Sequence, residues 1–183
     1  MAALRNTYLV LYNVTQCCGW FYLLVTLLPH LGHSLIEGKD DGRLYRETGA
    51  LLRLLCTAAV LEIAHAACGL VKSNPVITGF QVVARLFVTW AILHCVPEAQ
   101  TCRGFPLLLL AFSTMEIIRY PFYGLSVLGI QSYVVTWLRY TAFIILYPMG
   151  ASGELVCYFN SLDRVKSTGL HSVQLSNSYN RGR

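Results

Sequence analysis

The sequence predicts an all-α fold, a polytopic transmembrane helix bundle with five spans, and two observations carry that prediction. Of its 183 residues, 55% are hydrophobic and only 13% charged, against about a quarter charged in an ordinary soluble domain. The mean hydropathy is +0.52. The apolar residues are also gathered into five runs, each close to the roughly 20 residues a helix needs to cross the hydrocarbon layer. Lipid offers the backbone no hydrogen-bond partner, so each run must satisfy its own N–H and C=O groups and be helical.

The first run spans Tyr8–Leu28 and stops at Pro29. A secretory signal has a shorter apolar core and a small-residue cleavage site, so this stretch reads as a retained span. The connection from Pro29 to Thr48 is charged and contains Gly32, Gly38 and Gly42. The second run covers Gly49–Val71, and Lys72-Ser73-Asn74-Pro75 turns the chain into the third, Val76–Val96. Pro97 to Gly104 leads to the fourth, Phe105–Leu125, and the fifth covers Tyr133–Phe159. Short connections predict that sequential spans lie as antiparallel neighbours in one bundle. Residues 1–159 thus form the bundle, and the polar residues 160–183 read as a disordered tail. Five spans place Arg5 and Lys72 on one side. On the other fall Lys39, Arg43, Arg46, Arg103, Arg164, Lys166, Arg181 and Arg183, the side that the positive-inside rule assigns to the cytoplasm.

Several function classes drop out. The net charge is +5, but the Lys and Arg residues cluster at the ends of apolar runs and form no basic stripe, so nucleic acid is not an expected partner. The seven cysteines (Cys17, Cys18, Cys56, Cys68, Cys95, Cys102 and Cys157) include no CxxC pair, and most lie in apolar runs where Cys acts as a small hydrophobe. Neither a disulfide framework nor a zinc site is expected. His30, His33, His65, His94 and His171 are too scattered for an iron site of clustered histidines, so no metal is expected. A thiol phosphatase needs a Cys followed six positions later by Arg, and none of these cysteines has one. With no G-x-S-x-G elbow and no phosphate-cradling glycine loop, no cofactor is expected.

The ionisable residues inside the spans need a reason to be there. A charge at mid-bilayer costs at least about 2.5–3.5 kcal/mol, yet Glu62, Arg85, Glu116, Arg119, Arg139 and Glu154 all fall within or near apolar runs. Arg53 is close enough to a span end to snorkel. The others either pair to hold the bundle together or mark a functional site, and both readings stand. Gln81 and Arg85, four apart, share a helix face, as do Glu116 and Arg119, three apart and followed by Tyr120 and Tyr123. In the fifth span Tyr140, Tyr147 and Glu154 recur every seven residues and line nearly one stripe. Pro148 is expected to kink that helix, and Gly150-Ala151-Ser152-Gly153 to admit a neighbouring backbone or a ligand. A phenol and a carboxyl group beside a kink suit acid/base chemistry; a tyrosine anchoring the membrane interface is the alternative.

These residues taken together resemble a known family, the very-long-chain 3-hydroxyacyl-CoA dehydratases of fatty-acid elongation, also called protein-tyrosine-phosphatase-like proteins. The likeness runs from Tyr8-Leu-Val-Leu-Tyr-Asn to about Asn180. It is carried by Leu61-Glu62-Ile63-Ala64-His65, Gln81-Val-Val-Ala-Arg85, Glu116-Ile-Ile-Arg119-Tyr120-Pro-Phe-Tyr123, Leu138-Arg139-Tyr140, and Leu146-Tyr147-Pro148-Met149-Gly150-Ala151-Ser152-Gly153-Glu154. After the histidine, relatives have Cys-x-x-Gly-x-x-Pro. This chain has Ala66-Ala67-Cys68-Gly69-Leu70-Val71-Lys72, which changes both the cysteine and the proline.

The resemblance implies a hydro-lyase that removes water, with syn geometry, from a very-long-chain 3-hydroxyacyl-CoA to give the trans-2-enoyl-CoA. It implies Tyr147 and Glu154 as the catalytic pair and places Glu62, Gln81, Arg85, Arg119, Arg139 and Gly150 on the family's other recurrent polar and glycine positions. It further implies a multi-pass protein of the endoplasmic reticulum membrane, with acyl-CoA as substrate and with membrane lipid and other fatty-acid elongation enzymes as partners. Family members have six spans and both termini in the cytosol, which would put the tail side in the lumen. A relative would continue from about Asn180 into its sixth helix, so this chain reads as a shortened form. That favours the alternative of a catalytically inactive membrane scaffold that binds elongase components.

Overall fold

The computed structural model describes residues 2–32, 42–71 and 73–169, and each apolar run is helical there. Helix α1 (Ala2–Leu27) ends in a 3₁₀ turn, Leu28–His30, built around Pro29. The second span is α2 (Arg43–Ala58) followed by α3 (Val60–Ala67), interrupted only at Ala59. The third is α4 (Pro75–Leu86), whose last turns widen into a π-helical stretch over Phe87–His94. A short α5 (Pro97–Thr101) leads into α6 (Gly104–Val127), and the chain finishes with α7 (Tyr133–Thr141) and α8 (Phe143–Thr168). Four of these units are long and apolar enough to cross a membrane, and α7 with α8 makes a fifth, bent by 42°. The five-span architecture expected from the sequence is therefore the one that forms. Exposed apolar side chains, among them Leu11, Phe21, Phe80, Val83, Ile144, Ile145 and Phe159, cover the outside of the bundle.

Local chemistry explains where the helices stop. After α3, Gly69 takes φ 68°, which lets Leu70 N–H reach the His65 carbonyl at 2.9 Å and Gly69 N–H the Ala66 carbonyl at 3.1 Å. This pair of bonds is the Schellman closure that glycine permits. Gly129 repeats it after α6, with Ile130 N–H on the Leu125 carbonyl at 2.9 Å. Asn74 caps α4 by accepting from Val76 N–H at 2.9 Å, with Pro75 at the first helical position, where no N–H is needed.

Packing is organised around α6, which has α1 on one side and α8 on another. The sequence predicted sequential spans as neighbours. Several are, but α1 makes its most extensive contact with α6, three spans later. Short loops dictate only which spans are adjacent in order; the faces decide the rest. The buried residues of α1, Leu9, Asn13, Gln16, Trp20, Leu23 and Leu27, recur every four and three residues and form a single seam.

The α6–α8 crossing depends on two missing side chains. A Cβ on Gly104 would stand 2.5 Å from the Gly153 carbonyl oxygen, and one on Gly153 would stand 2.7 Å from the Leu108 nitrogen. Backbone cannot yield as a flexible side chain can. Gly153→Ala is accordingly expected to destabilise the bundle by about 1–3 kcal/mol through overpacking, read as a lower unfolding midpoint in detergent micelles. Gly79→Ala, where a Cβ meets nothing, is the matched control.

Helix α8 runs as one α-helix through Pro148, and a 42° bend separates it from α7 at Ala142. One expectation needs correction. Asn160–Thr168, expected within the polar tail, continue α8. Residues 170–183, together with His33, Lys39 and Lys72, lie outside the described residues.

Candidate active site

Four of the intramembrane charges, Glu62, Arg85, Glu116 and Arg119, form a connected network, and it starts from Glu116. This side chain on α6 is wholly buried, at 0% exposure, and a carboxylate so placed needs cations and donors around it. Arg85 of α4 brings Nη2 to 2.5 Å from Oε1. Arg119, one turn further along α6, donates from Nε to Oε2 at 2.7 Å. Arg119 Nη2 then donates to Glu62 Oε1 of α3 at 3.0 Å and to the Tyr120 hydroxyl at 3.2 Å. The Tyr120 hydroxyl donates in turn to Glu62 Oε1 at 2.7 Å. From α1, the Tyr12 hydroxyl lies 3.3 Å from Glu62 Oε1 and 3.2 Å from the Ala58 carbonyl, and it accepts from Gln16 Nε2 at 3.3 Å.

Signs alternate along this chain of contacts, Arg85, Glu116, Arg119, Glu62, so the charges cancel across three spans. Rings close the sides. Arg85 sits 5.2 Å from the Phe112 centroid and 5.9 Å from that of Trp20, and Arg119 sits 5.0 Å from that of Tyr120. Tyr120→Phe removes a donor from a charged acceptor while keeping the ring. It is expected to cost about 1.5–3 kcal/mol, measured against Tyr12→Phe, whose longer bond predicts a smaller loss.

The site residues expected from the sequence are distributed unevenly. Glu62, Arg85 and Arg119 lie in the network. Gly150 is buried against α6, with a Cβ position 3.3 Å from Ala111 Cβ. Arg139 stands apart, donating to the Tyr123 hydroxyl at 3.2 Å and lying over the Phe122 and Tyr123 rings. Gln81 is exposed and is not among the network's hydrogen-bonding groups. Glu154 is half-buried on α8, within electrostatic reach of Arg85. Tyr147 is 66% exposed, and its ring rests on Phe143, centroids 5.2 Å apart.

Helix geometry accounts for that difference. Seven residues separate the Tyr147 and Glu154 Cα atoms by about 10 Å. Side chains lean toward the helix N-terminus, so Glu154 leans toward Tyr147 while Tyr147 leans away onto Phe143. A cleft of about 320 Å³ opens between the end of α6 and the start of α7, lined by Phe122, Ser126, Gln131, Ser132 and Thr136 among others. Neither Tyr147 nor Glu154 lines it.

The contribution of α1 was not expected. Tyr12 reaches Glu62, Gln16 donates to the Tyr12 hydroxyl, Asn13 is buried and donates to the Leu9 carbonyl at 2.7 Å, and Tyr8 meets His65 Nε2 at 2.9 Å. A signal was present. Tyr8, Tyr12, Asn13 and Gln16 place polar groups every three or four residues on one face of an otherwise apolar run.

The description of the protein tyrosine phosphatase-like proteins, PTPLA, matches residues 56–182. Very-long-chain (3R)-3-hydroxyacyl-CoA dehydratase 2 of Homo sapiens is 41% identical over 177 residues, which cover 97% of this chain and 68% of the human protein. The very-long-chain (3R)-3-hydroxyacyl-CoA dehydratase hpo-8 of Caenorhabditis elegans is 44% identical over 178 residues, 97% of this chain and 80% of the nematode protein. Very-long-chain (3R)-3-hydroxyacyl-CoA dehydratase 1 of Canis lupus familiaris is 36% identical over 180 residues, 98% of this chain and 71% of the canine protein. No solved structure matches the chain at a significant level.

Proposed function

This chain belongs to the protein tyrosine phosphatase-like family, and from that premise we propose that it is a lyase removing water from very-long-chain (3R)-3-hydroxyacyl-CoA. The observation that carries the reading is similarity across 97% of the chain to two proteins named as that dehydratase. Phosphatase activity is not proposed, because no cysteine in the sequence has an arginine six positions on.

The reaction breaks two bonds and forms a double bond. A base removes the proton from C2, beside the thioester. The C2–H electron pair becomes the C2=C3 bond, and an acid protonates the C3 hydroxyl, which leaves as water. Tyr147 and Glu154 are the groups proposed for the two roles. Arg85, paired with Glu116 and within electrostatic reach of Glu154, orients the Glu154 carboxyl group. The acyl chain lies among the apolar spans. For Tyr147 to face the same substrate as Glu154, its ring leaves Phe143 when the substrate binds. The protein would act in the endoplasmic reticulum membrane beside other enzymes of fatty-acid elongation, which supply the 3-hydroxyacyl thioester and consume the enoyl product.

The exposed Tyr147 ring favours a second reading, in which the chain is an inactive scaffold for elongation enzymes. One assay separates the two. Purified protein in detergent, given a very-long-chain (3R)-3-hydroxyacyl-CoA, is expected to yield a product lighter by one water, detected by mass. No product from folded protein that still captures elongation enzymes would establish the scaffold instead.

A further inference from the structure

We propose that Cys102 and Cys157 form a redox-active dithiol that closes to a disulfide and staples α8 to the junction of α5 and α6. The two sulfurs stand 3.6 Å apart although the residues are 55 positions apart in the chain. A disulfide bond is about 2.0 Å long, so the sulfurs have only about 1.5 Å to travel. The backbones around them are already in contact: a Cβ on Gly104 would stand 2.9 Å from the Cys157 nitrogen.

The two thiols differ in a way that suits sequential chemistry. Cys102 is half-buried in the connection before α6, outside the span, whereas Cys157 is fully buried within α8. The hydrogen bond between the sulfurs and, against the opposing effect of burial, the Phe105 and Gly104 backbone N–H groups at the start of α6 hold the Cys102 thiol below its ordinary value. Thiolate character sets the rate of attack, so the more accessible sulfur, whose thiol is lowered, is the one to attack first. The ordinary role of a buried cysteine is to fill space. Packing alone does not require the second sulfur to sit within hydrogen-bond distance of the first.

The oxidant is a small-molecule disulfide of the glutathione type. Cys102 thiolate attacks one of its sulfurs, the S–S bond breaks, and one thiol product leaves as thiolate. Cys157 gives its proton to that thiolate, and its sulfur displaces the second thiol from Cys102. Two cysteines are oxidised by two electrons, and one small disulfide is reduced to two thiols. The neighbouring sulfur makes the second step intramolecular, which favours it over accumulation of the mixed disulfide. The staple would lie three residues from Glu154.

The test uses the full chain in detergent micelles, equilibrated with oxidised glutathione, alkylated with N-ethylmaleimide and digested without reductant. Mass analysis is expected to find the Cys102 and Cys157 peptides joined, each losing at least tenfold in alkylated form, with both effects reversed by dithiothreitol. Cys102→Ser should abolish the link, and Cys157→Ala should leave Cys102 carrying glutathione. Wild-type protein that holds glutathione on Cys102 while Cys157 is alkylated after unfolding would overturn the proposal. So would alkylation of both thiols at every glutathione ratio.

Discussion

Replacing Glu154 with Gln, or Tyr147 with Phe, is expected to lower kcat for dehydration by about 10²–10⁴-fold, the usual contribution of a positioned general acid or base. Both changes preserve shape. Gln keeps the length and polarity of Glu154 beside Arg85 but cannot exchange the proton. Phe keeps the ring that rests on Phe143 but has no hydroxyl. Neither should perturb folding, because Tyr147 is exposed and Glu154 is not one of the residues bonded to Glu116. The control is Tyr140→Phe. Tyr140 lies on the same stripe one heptad earlier and is 70% exposed, so as an interface anchor it predicts turnover within about twofold of wild type. Equal losses at Tyr140 and Tyr147 would show that the stripe serves the membrane and not the reaction. Full turnover by purified Glu154→Gln would remove the carboxyl group from the mechanism.

Replacing Glu116 with Gln is expected to destabilise the bundle by about 3–5 kcal/mol, the cost of leaving buried charge without its partner. Glu116 faces two guanidinium groups, at 2.5 and 2.7 Å, and has no exposed surface. The amide would offer one carbonyl where two charged oxygens were, leaving Arg85 and Arg119 to repel each other. The measurement is the unfolding midpoint in detergent micelles. Glu98→Gln supplies the contrast. Its ion pair with Arg164 is 3.3 Å long and half exposed on both sides, so its loss should fall within about 1 kcal/mol. A Glu116→Gln protein as stable as wild type would mean that water reaches the network and screens it.

These two predictions rest on information that was legible to different degrees. The pairing of Glu116 with Arg119 followed from a spacing of three on one helix. Arg85 and Glu62 were recognisable as charges needing partners, but nothing in their own segments named the partner. Arg85 was matched locally with Gln81, four residues away, yet the structure turns Arg85 toward Glu116 and leaves Gln81 exposed. A buried carboxylate attracts a guanidinium more strongly than an amide on the surface does. The 42° bend between α7 and α8 falls at Ala142, where no residue in the sequence signals it. The glycines beyond it did what small residues suggest, since Gly153 brings α8 against the α6 backbone.

The sequence by itself determined that the chain is a set of apolar helices, which family its motifs match, and that six charges inside or near the spans required an account. Those properties are local or compositional: lipid forces the backbone into helices, proline and glycine end them, and a motif is read along the chain. Only the tertiary structure decided that α6 stands between α1 and α8, that Glu116 is shared by Arg85 and Arg119, that α1 supplies Tyr12 to Glu62, and that Cys102 meets Cys157. Each of these joins residues on different spans. Helix periodicity tells which side chains share a face, but the choice of facing helix is made by packing and charge pairing among all the spans at once.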